Sequence, residues 1–277
     1  MENWTILEII KWTTGFFKEK QIVNPRLNAE YIISHVLGCK RFDLYLRFEE
    51  IVSLENRDKI KKMVIERAKS KPLQYVIGET EFYGYRFLVN ESVLIPRPET
   101  EYLVEKIIAE IGSCNRILDI GTGSGAIAIT LKKELPHLMV TAVDISTMAL
   151  QVAKENAKLN QVEVEFVESD LFANLNKKFD VIVSNPPYIP KMEYDALDKE
   201  ILEYEPKSAL LAEEDGLYFY RKILSESESY LNEKGRIYFE IGYNQSDRIK
   251  KIAENNGFTE IETVKDLNGF DRIMIIK

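Results

Sequence analysis

The tetrapeptide Asn185-Pro186-Pro187-Tyr188 combines residue types that could hold a planar amino group, and it follows the apolar stretch FDVIVS. Its two prolines fix the backbone and remove two N–H donors. The backbone carbonyls of Asn185 and Pro186 and the side-chain oxygen of Asn185 can then accept hydrogen bonds, and Tyr188 offers a flat face for stacking. Acceptors beside an aromatic ring fit an NH2 group. The alternative interpretation is a rigid turn at the end of a strand.

The nitrogen of such a group, whether amide or aryl amine, is a poor nucleophile because its lone pair is delocalised. Acceptors for its N–H groups would hold the nitrogen in position and favour the positive charge that develops on it. Asn185 cannot act as a general base, so we expect the proton to leave after the bond to nitrogen has formed. We predict Asn185, Pro186 and Tyr188 as catalytic residues and Asn185, Pro186, Pro187 and Tyr188 as substrate-binding residues. The pattern leaves the substrate open between adenine N6, cytosine N4, guanine N2 and a glutamine amide.

A glycine-rich loop, Gly121-Thr122-Gly123-Ser124-Gly125, follows the apolar segment RILDI. Glycines at such a position let the backbone pass close to a ligand and turn tightly into a helix. This signal is weak by itself, because the same residues also fit the relaxed dinucleotide-binding pattern. A tight turn from strand to helix without any ligand is the structural alternative.

Three aspartates help to distinguish between cofactors. Asp119 lies two residues before the first glycine, and Asp144 and Asp170 end the next two predicted strands. Ligands bind at the carboxyl edge of a parallel sheet, so all three should lie there. An acidic rim repels a pyrophosphate, but it suits the ammonium, the sulfonium and the ribose hydroxyls of S-adenosylmethionine. Asp144 is the strongest candidate for the ribose, although each aspartate alone could be a strand-end or capping residue.

The composition of the 277-residue chain, 45% hydrophobic and 30% charged, is that of a globular protein with one or two domains. No apolar run reaches about 18 residues and no signal-peptide pattern is present, so we expect no membrane association. Cys39 and Cys114 form no framework of cysteines, which indicates a reducing cytoplasm. The net charge of -8 argues against a broad nucleic-acid interface. The first 70 residues are mildly basic, with 13 Lys and Arg against 10 Asp and Glu, which indicates either a partner surface or a solvated helical bundle.

The pattern of predicted elements changes twice along the chain. Helical periodicity fills the N-terminal part. One helix is expected to stop at Gly38, and its predicted apolar face consists of Leu27, Tyr31, Ile32, Val36 and Leu37. The following segment is rich in aromatic and β-branched residues and predicts a β-hairpin. From Arg116 onward, strands alternate with helices, which predicts a parallel sheet covered on both faces. The last two strands are separated only by a turn at Asn268-Gly269, which predicts an antiparallel hairpin.

This order of elements is typical of Rossmann-like methyltransferases. We therefore predict an α/β protein with a class I methyltransferase sheet that ends in an antiparallel hairpin. The predicted parts are a helical domain at 1–73, a β-hairpin linker at 74–96 and an S-adenosylmethionine-dependent methyltransferase domain at 97–277.

These motifs closely resemble those of the release factor glutamine methyltransferases, the PrmC or HemK family. The matching segments are RLNAEYIISHVLG, KPLQYVIGETEFYGYRFLVNESVLIPRPETEYLVE, ILDIGTGSGAIAI, AVDIS, SDLF, IVSNPPYIP, EPKSALLAEEDGLYFY, FEIG and KDLNGFDR. Of these, IPRPETE and KDLNGFDR distinguish this family from other enzymes that contain an Asn-Pro-Pro-Tyr loop. Because every predicted site residue lies after residue 110, we expect the N-terminal helical part to dock the protein substrate. The resemblance implies that this part is a separate helical domain. It also implies methylation of N5 of the glutamine in the Gly-Gly-Gln motif of peptide chain release factors.

Carried onto this sequence, the resemblance implies that the glycine loop and Asp144 hold the cofactor and that the Asn-Pro-Pro-Tyr loop holds the glutamine. Leu171 replaces a tryptophan found in some members, but it can still pack on adenine. Arg97 is expected to form a structural salt bridge. No metal ligand is predicted. The predicted cofactor-binding residues are Asp119, Gly121, Thr122, Gly123, Ser124, Gly125, Asp144, Ile145, Asp170, Leu171 and Asn185.

Two other functions are weighed against this one. A nucleic-acid base methyltransferase could use the same loop, but it would need a basic surface and a way to flip the base. The acidic body of the protein counts against it, so we expect no direct nucleic-acid binding. A non-enzymatic binding module is disfavoured by the intact Asn-Pro-Pro-Tyr loop. The expected partner is therefore a peptide chain release factor.

Overall fold

The computed structural model describes residues 4–213 and 215–277, which form two compact units. The first unit contains the residues up to Gly78 together with Lys199–Tyr204. The second unit contains Glu79–Asp198 and Glu205–Lys277. Within the described residues, no helix is both long enough and apolar enough to cross a membrane.

Helices and strands are numbered here in chain order. The helices are α1 (Ile6–Glu19), α2 (Pro25–Leu37), α3 (Asp43–Leu46), α4 (Leu54–Ala68), α5 (Leu73–Ile77), α6 (Pro98–Glu110), α7 (Ala126–Glu134), α8 (Thr147–Leu159), α9 (Lys191–Tyr194), α10 (Lys199–Tyr204), α11 (Tyr218–Ser227) and α12 (Ser246–Asn255). The strands are β1 (Glu79–Phe82), β2 (Tyr85–Leu88), β3 (Arg116–Ile120), β4 (Met139–Asp144), β5 (Glu165–Glu168), β6 (Phe179–Ser184), β7 (Leu231–Glu240), β8 (Ile261–Lys265) and β9 (Asp271–Ile276).

The first unit is helical, and local signals set the ends of its helices. α1 begins with a capping box, in which the backbone amide of Thr5 donates to the Glu8 side chain at 2.8 Å and Glu8 donates back to the Thr5 hydroxyl at 3.3 Å. α2 ends before Gly38, whose φ of 62° lies in the left-handed region that glycine adopts without steric cost. The predicted stop at Gly38 is therefore confirmed.

The predicted apolar face of α2 was wrong in part. Ile32 is buried as expected, but Leu27 and Tyr31 are 37% and 42% exposed, and Ala29 and Ile33 are buried in their place. The physical reason is that apolar residues surround α2 on more than one side. Its sequence therefore does not identify a single buried face, and packing against α1 and α4 decides which side is covered.

A buried arginine joins the first unit to its later segment. Arg67, which is 4% exposed, donates to the Asn28 side chain at 2.7 Å, to the Lys71 carbonyl at 3.0 Å and to the Glu200 carboxylate at 2.7 Å. A buried guanidinium needs such partners because an unpaired charge is costly away from water. α10 is therefore an integral part of the first unit, although it comes from a distant part of the sequence.

The hairpin linker predicted at 74–96 is shorter in the structure. Leu73–Ile77 forms α5, which begins after Pro72 and ends at Gly78, and the hairpin consists of β1 and β2 alone. The predicted start was wrong because a short apolar run cannot be assigned to helix or strand by its periodicity. The hairpin itself belongs to the second unit.

The second unit is built on a seven-stranded sheet with the order β5-β4-β3-β6-β7-β9-β8. The five strands from β3 to β7 are parallel, and β9 runs antiparallel between β7 and β8. The predicted α/β fold with a terminal antiparallel hairpin is confirmed. Alternate residues of β6 contribute to two separate cores, with Val181 and Val183 on one side and Ile182 on the other, so both faces of the sheet are covered by helices.

The strand order of the sheet reverses at β3. This strand pairs with β4 on one side and with β6 on the other. Ligands bind at such a switch point, outside the carboxyl ends of the strands. Ile120 and Ser184 are register partners there, and the Ser184 hydroxyl donates to the Ile120 carbonyl at 2.7 Å. The loops after β3 and β6 therefore start side by side. These are the glycine loop and the Asn-Pro-Pro-Tyr loop.

Candidate active site

The glycine loop connects β3 to α7 and is held by its neighbours. The carbonyl of Val143 accepts hydrogen bonds from the amides of Gly121 at 2.9 Å and Thr122 at 3.0 Å. Asn156, which is completely buried in α8, donates to the carbonyl of Ser124 at 2.9 Å. The loop therefore has a fixed backbone before any ligand binds.

The three glycines of this loop have different roles, although all have positive φ. A Cβ atom on Gly121 or Gly123 would meet no other atom within 4 Å. A Cβ atom on Gly125 would lie 2.7 Å from the Ile129 side chain and 3.2 Å from that of Ala153. Gly125 therefore permits close packing of α7 and α8, whereas Gly121 and Gly123 leave a surface that a ligand can approach closely.

Asp119 is completely buried beneath the loop. The Thr122 hydroxyl donates to its Oδ2 at 2.6 Å, and its Oδ1 has no partner with hydrogen-bond geometry in the described part of the chain. Burial raises the pKa of Asp119 to about 7, against the lowering effect of its hydrogen bonds. A cationic ligand on the loop would favour the ionised form of this carboxyl group.

Asp144 ends β4 and lies partly exposed at the rim of the site. Its Oδ2 accepts a hydrogen bond from the Gly123 amide and its Oδ1 one from the Ser146 amide, both at 2.9 Å. Burial raises its pKa, and these backbone amides oppose that shift. Each carboxylate oxygen can accept a further hydrogen bond. Asp144 is thus placed to accept from a pair of hydroxyl groups while it holds the glycine loop.

The remaining predicted cofactor residues differ in exposure. Asp170 lies two residues beyond the end of β5 and is exposed, and Ile145 is 66% exposed. Leu171 has a φ of 49° and packs against the core. The side chains of Thr122 and Ser124 are buried, so these two residues would present backbone to a ligand. Contacts of all these residues with a cofactor stay a prediction.

The Asn-Pro-Pro-Tyr loop is clamped at its far end. Gln245 donates to the carbonyl of Tyr188 at 2.9 Å and to that of Gly216 at 3.3 Å. A Cβ atom on Gly216 would lie 2.6 Å from the Tyr188 carbonyl oxygen. The close approach of these segments therefore requires glycine, and it fixes the position of Tyr188.

The near end of the loop is held by two residues that no sequence motif indicated as site residues. The Nδ2 atom of Asn185 donates to the Thr100 hydroxyl at 3.2 Å, and that hydroxyl donates to Oε2 of Glu240 at 2.6 Å. Thr100 lies in the first turn of α6, and Glu240 ends β7. Thr100 lies in the segment IPRPETE and Glu240 in FEIG. No periodicity or spacing in the sequence connects the two residues.

Arg97 forms the expected salt bridge. Its Nη2 atom donates to both oxygens of the Glu205 carboxylate, at 2.6 and 2.7 Å, and the Glu205 side chain is 2% exposed. This ion pair fixes the segment just before α6, and therefore the turn that carries Thr100.

Two family models match the chain. The "PrmC N-terminal domain" matches residues 8–78, and the "Methyltransferase small domain" matches residues 98–210. A release factor glutamine methyltransferase of Fusobacterium nucleatum is 45% identical over 98% of this chain and 78% of its own length. Another, of Geobacter sulfurreducens, is 41% identical over 99% of this chain and 96% of its own length.

The chain belongs to the release factor glutamine methyltransferase family. The resemblance seen in the motifs is thereby confirmed, and the protein is a methyltransferase that uses S-adenosylmethionine. A solved methyltransferase of Pyrococcus furiosus has the same fold, with a TM-score of 0.54 and 20% identity, over 80% of this chain and 98% of its own.

The residues present fit the cofactor of this family. Open space above Gly121 and Gly123 lets a ligand approach the backbone, and Asp144 offers acceptors for a ribose diol. The buried carboxyl group of Asp119 lies beneath the loop, and with a pKa of about 7 it ionises more readily when a ligand that carries ammonium and sulfonium groups binds.

In this methyltransferase, we expect Tyr188 to act through its ring and not as a base. Burial raises the pKa of its hydroxyl to about 12, so the group is neutral at working pH. Tyr188→Phe should therefore retain the rate of methyl transfer, whereas Tyr188→Ala should lose about 10-fold through the lost stacking surface. Single-turnover rates of the two variants check this. A Tyr188→Phe enzyme as slow as Tyr188→Ala would show that the hydroxyl matters instead.

Proposed function

We propose that this protein transfers a methyl group from S-adenosylmethionine to N5 of the glutamine in the Gly-Gly-Gln motif of peptide chain release factors. Relatives that carry the name of this activity are 40–45% identical over almost the whole chain. Direct contact with nucleic acid is not part of the proposal. The sequence and the site support it by independent observations, which are the resemblance of the motifs and the geometry around Asn185.

The orientation of the Asn185 amide supports the proposal most directly. Its Nδ2 atom donates to Thr100, so its Oδ1 atom is left as an acceptor. Pro186 and Pro187, which follow, contribute no backbone N–H. A substrate NH2 group next to this loop would therefore meet acceptors and an aromatic ring, an arrangement that suits a primary amide as it suits other planar NH2 groups.

The residues of the chain contribute position and charge to the reaction. When bound, S-adenosylmethionine supplies an electrophilic methyl group. Asn185 and the Pro186 carbonyl hold the amide nitrogen by its hydrogens, and they stabilise the positive charge that develops there. Tyr188 limits the movement of the amide plane. No base is needed at Asn185, because the methylated nitrogen is strongly acidic and releases its proton to water.

Mass spectrometry of a release factor incubated with the enzyme and S-adenosylmethionine tests the proposal. We expect a mass gain of one methyl group on the peptide that contains Gly-Gly-Gln, with fragment ions that place it on the glutamine. A release factor with Gly-Gly-Asn in place of Gly-Gly-Gln is the matched control and should gain nothing. Methyl transfer to RNA or DNA, with none to the release factor, would instead support the nucleic-acid alternative.

We also propose that the first unit docks the protein substrate. Its described surface carries exposed large apolar side chains, among them Phe42 at 73% and Leu46 at 89%, and a group of exposed apolar side chains marks a site of interaction with another protein. The double variant Phe42→Ser/Leu46→Ser should therefore raise KM for an intact release factor about 10-fold. It should leave the kinetics with a short Gly-Gly-Gln peptide unchanged.

Point substitution is a cleaner test here than truncation. Removal of the first 73 residues would take Arg67 away from Glu200 and so leave α10 without its partners. Leu267→Ser, at a position that is 85% exposed in the second unit, is the matched control for a lost surface side chain. Equal KM values for wild type and the double variant with the intact release factor would exclude Phe42 and Leu46 from docking.

A further inference from the structure

Glu240 is a buried ionisable residue beneath the Asn-Pro-Pro-Tyr loop, and it has no role in the proposed methyl transfer itself. It is 1% exposed. Its backbone carbonyl accepts a hydrogen bond from the Tyr220 hydroxyl at 2.8 Å, and its side chain accepts one from Thr100 at 2.6 Å. A carboxyl group is costly to bury, so its position needs an explanation.

The hydrogen bonds around Glu240 have a fixed direction when it is ionised. A carboxylate can only accept, so the Thr100 hydroxyl must donate its single hydrogen to Glu240. The oxygen of Thr100 can then only accept from Asn185, at 3.2 Å. This forces the NH2 group of Asn185 toward Thr100 and its Oδ1 atom toward the substrate. The reversed amide would place two donors, one of Asn185 and one of the substrate, against each other.

We propose that Thr100 and Glu240 are positioning residues that fix the orientation of the Asn185 amide for methyl transfer. The proposal rests on the proposed function of Asn185 as the acceptor of the substrate amide. Neither residue is expected to touch the substrate. Both act through Asn185, one by a direct hydrogen bond and the other by fixing the direction of that bond.

The charged groups around Glu240 affect its pKa and therefore the pH range in which it fixes the orientation of Asn185. Burial raises the pKa of Glu240 to about 7, against the lowering effects of the Thr100 hydroxyl and of the Arg272 charge from β9. At the start of α6, Glu99 raises this pKa and Arg97 lowers it. Beyond the effect of burial, the charge on Glu240 also raises the pKa of the Tyr188 and Tyr220 hydroxyls.

The sign of the pH effect follows from the two forms of Glu240. Above its pKa, the carboxylate only accepts, and the orientation of Asn185 is fixed. Below it, the protonated carboxyl can donate to Thr100, whose own hydrogen is then free to turn toward Asn185. Single-turnover methylation should therefore slow as the pH falls through about 7. Saturating cofactor is needed in this experiment, because Asp119 also has a pKa of about 7 and affects cofactor binding.

Three substitutions test the proposal with a release factor as substrate. Thr100→Val keeps the shape but removes the hydroxyl, and it should lower the single-turnover rate about 10-fold. Thr100→Ser restores the hydroxyl and should remain within about threefold of wild type. Glu240→Gln keeps the volume but cannot ionise, and its rate should no longer depend on pH near 7. Cofactor affinity, measured by calorimetry, should stay at the wild-type value in all three.

A double-mutant cycle separates positioning from a general structural effect. Thr100→Val should have no further effect in an Asn185→Ala enzyme, because the group that it positions is gone. Equal losses from Thr100→Val in both backgrounds, or a pH inflection that persists in Glu240→Gln, would overturn the proposal. If Thr100→Val does not fold, Thr100→Ser and the pH profile of Glu240→Gln decide. Failure of the proposed function is distinguishable, since the wild-type enzyme would then not methylate the release factor.

Discussion

Asn185→Ala is expected to slow methyl transfer about 10²–10³-fold, equivalent to about 2.7–4 kcal/mol, and to leave cofactor affinity close to the wild-type value. The substitution removes a fixed acceptor from the substrate nitrogen, and with it a dipole that stabilises the developing positive charge. It also leaves the Thr100 hydroxyl without the donor seen in the structure. The decisive measurement is the single-turnover rate at saturating cofactor and release factor.

Asn185→Asp is the matched variant for this position. It keeps an acceptor of the same length but cannot donate to Thr100, so we expect a rate between those of wild type and Asn185→Ala. If Asn185→Ala methylates within about threefold of wild type, the residue contributes less than about 1 kcal/mol to the transition state. The loop would then be a structural turn.

Asp144→Ala is expected to raise the dissociation constant of S-adenosylmethionine about 10- to 150-fold, equivalent to about 1.5–3 kcal/mol for a lost hydrogen bond to a charged group. Two effects act in the same direction. The ribose loses its acceptor, and the glycine loop loses the carboxylate that binds the amide of Gly123. Isothermal calorimetry measures the constant, and thermal unfolding without cofactor shows whether the fold is retained.

Asp170→Ala is the comparison for this experiment. Asp170 is another carboxylate, two residues beyond the end of β5, but it is exposed, so its loss should weaken binding less than the loss of Asp144. Unchanged cofactor affinity in Asp144→Ala would remove Asp144 from the binding site. An equal loss in both variants would point to the overall charge of the rim rather than to a specific contact.

The succession of strands and helices along the chain and the place of both loops at strand ends were predictable from the sequence because each depends on local patterns. The apolar run of β6 and the change from strand to helix at Gly121–Gly125 can each be recognised within a short stretch of sequence. The turn at Asn268-Gly269 similarly predicted the terminal hairpin, which the structure confirms.

The support of Asn185 could not be predicted in this way. Thr100 lies 85 residues before Asn185 and 140 residues before Glu240, and only the folded sheet brings the three together. The same holds for Gln245, which binds the carbonyl of Tyr188 from 57 residues away. Side chains that orient another side chain have no periodic signature, so these contacts become visible only in three dimensions.

α10 belongs to the first unit but lies far along the sequence, and this has a consequence for biosynthesis. Glu200 is translated 133 residues after Arg67, a delay on the order of ten seconds at typical elongation rates. The helices of the first unit can form as they leave the ribosome, but the buried guanidinium of Arg67 acquires this carboxylate only when most of the second unit has been made. The first unit therefore cannot be completed until much of the second unit has been synthesised. A nascent chain that stops before Lys199 contains neither unit in complete form.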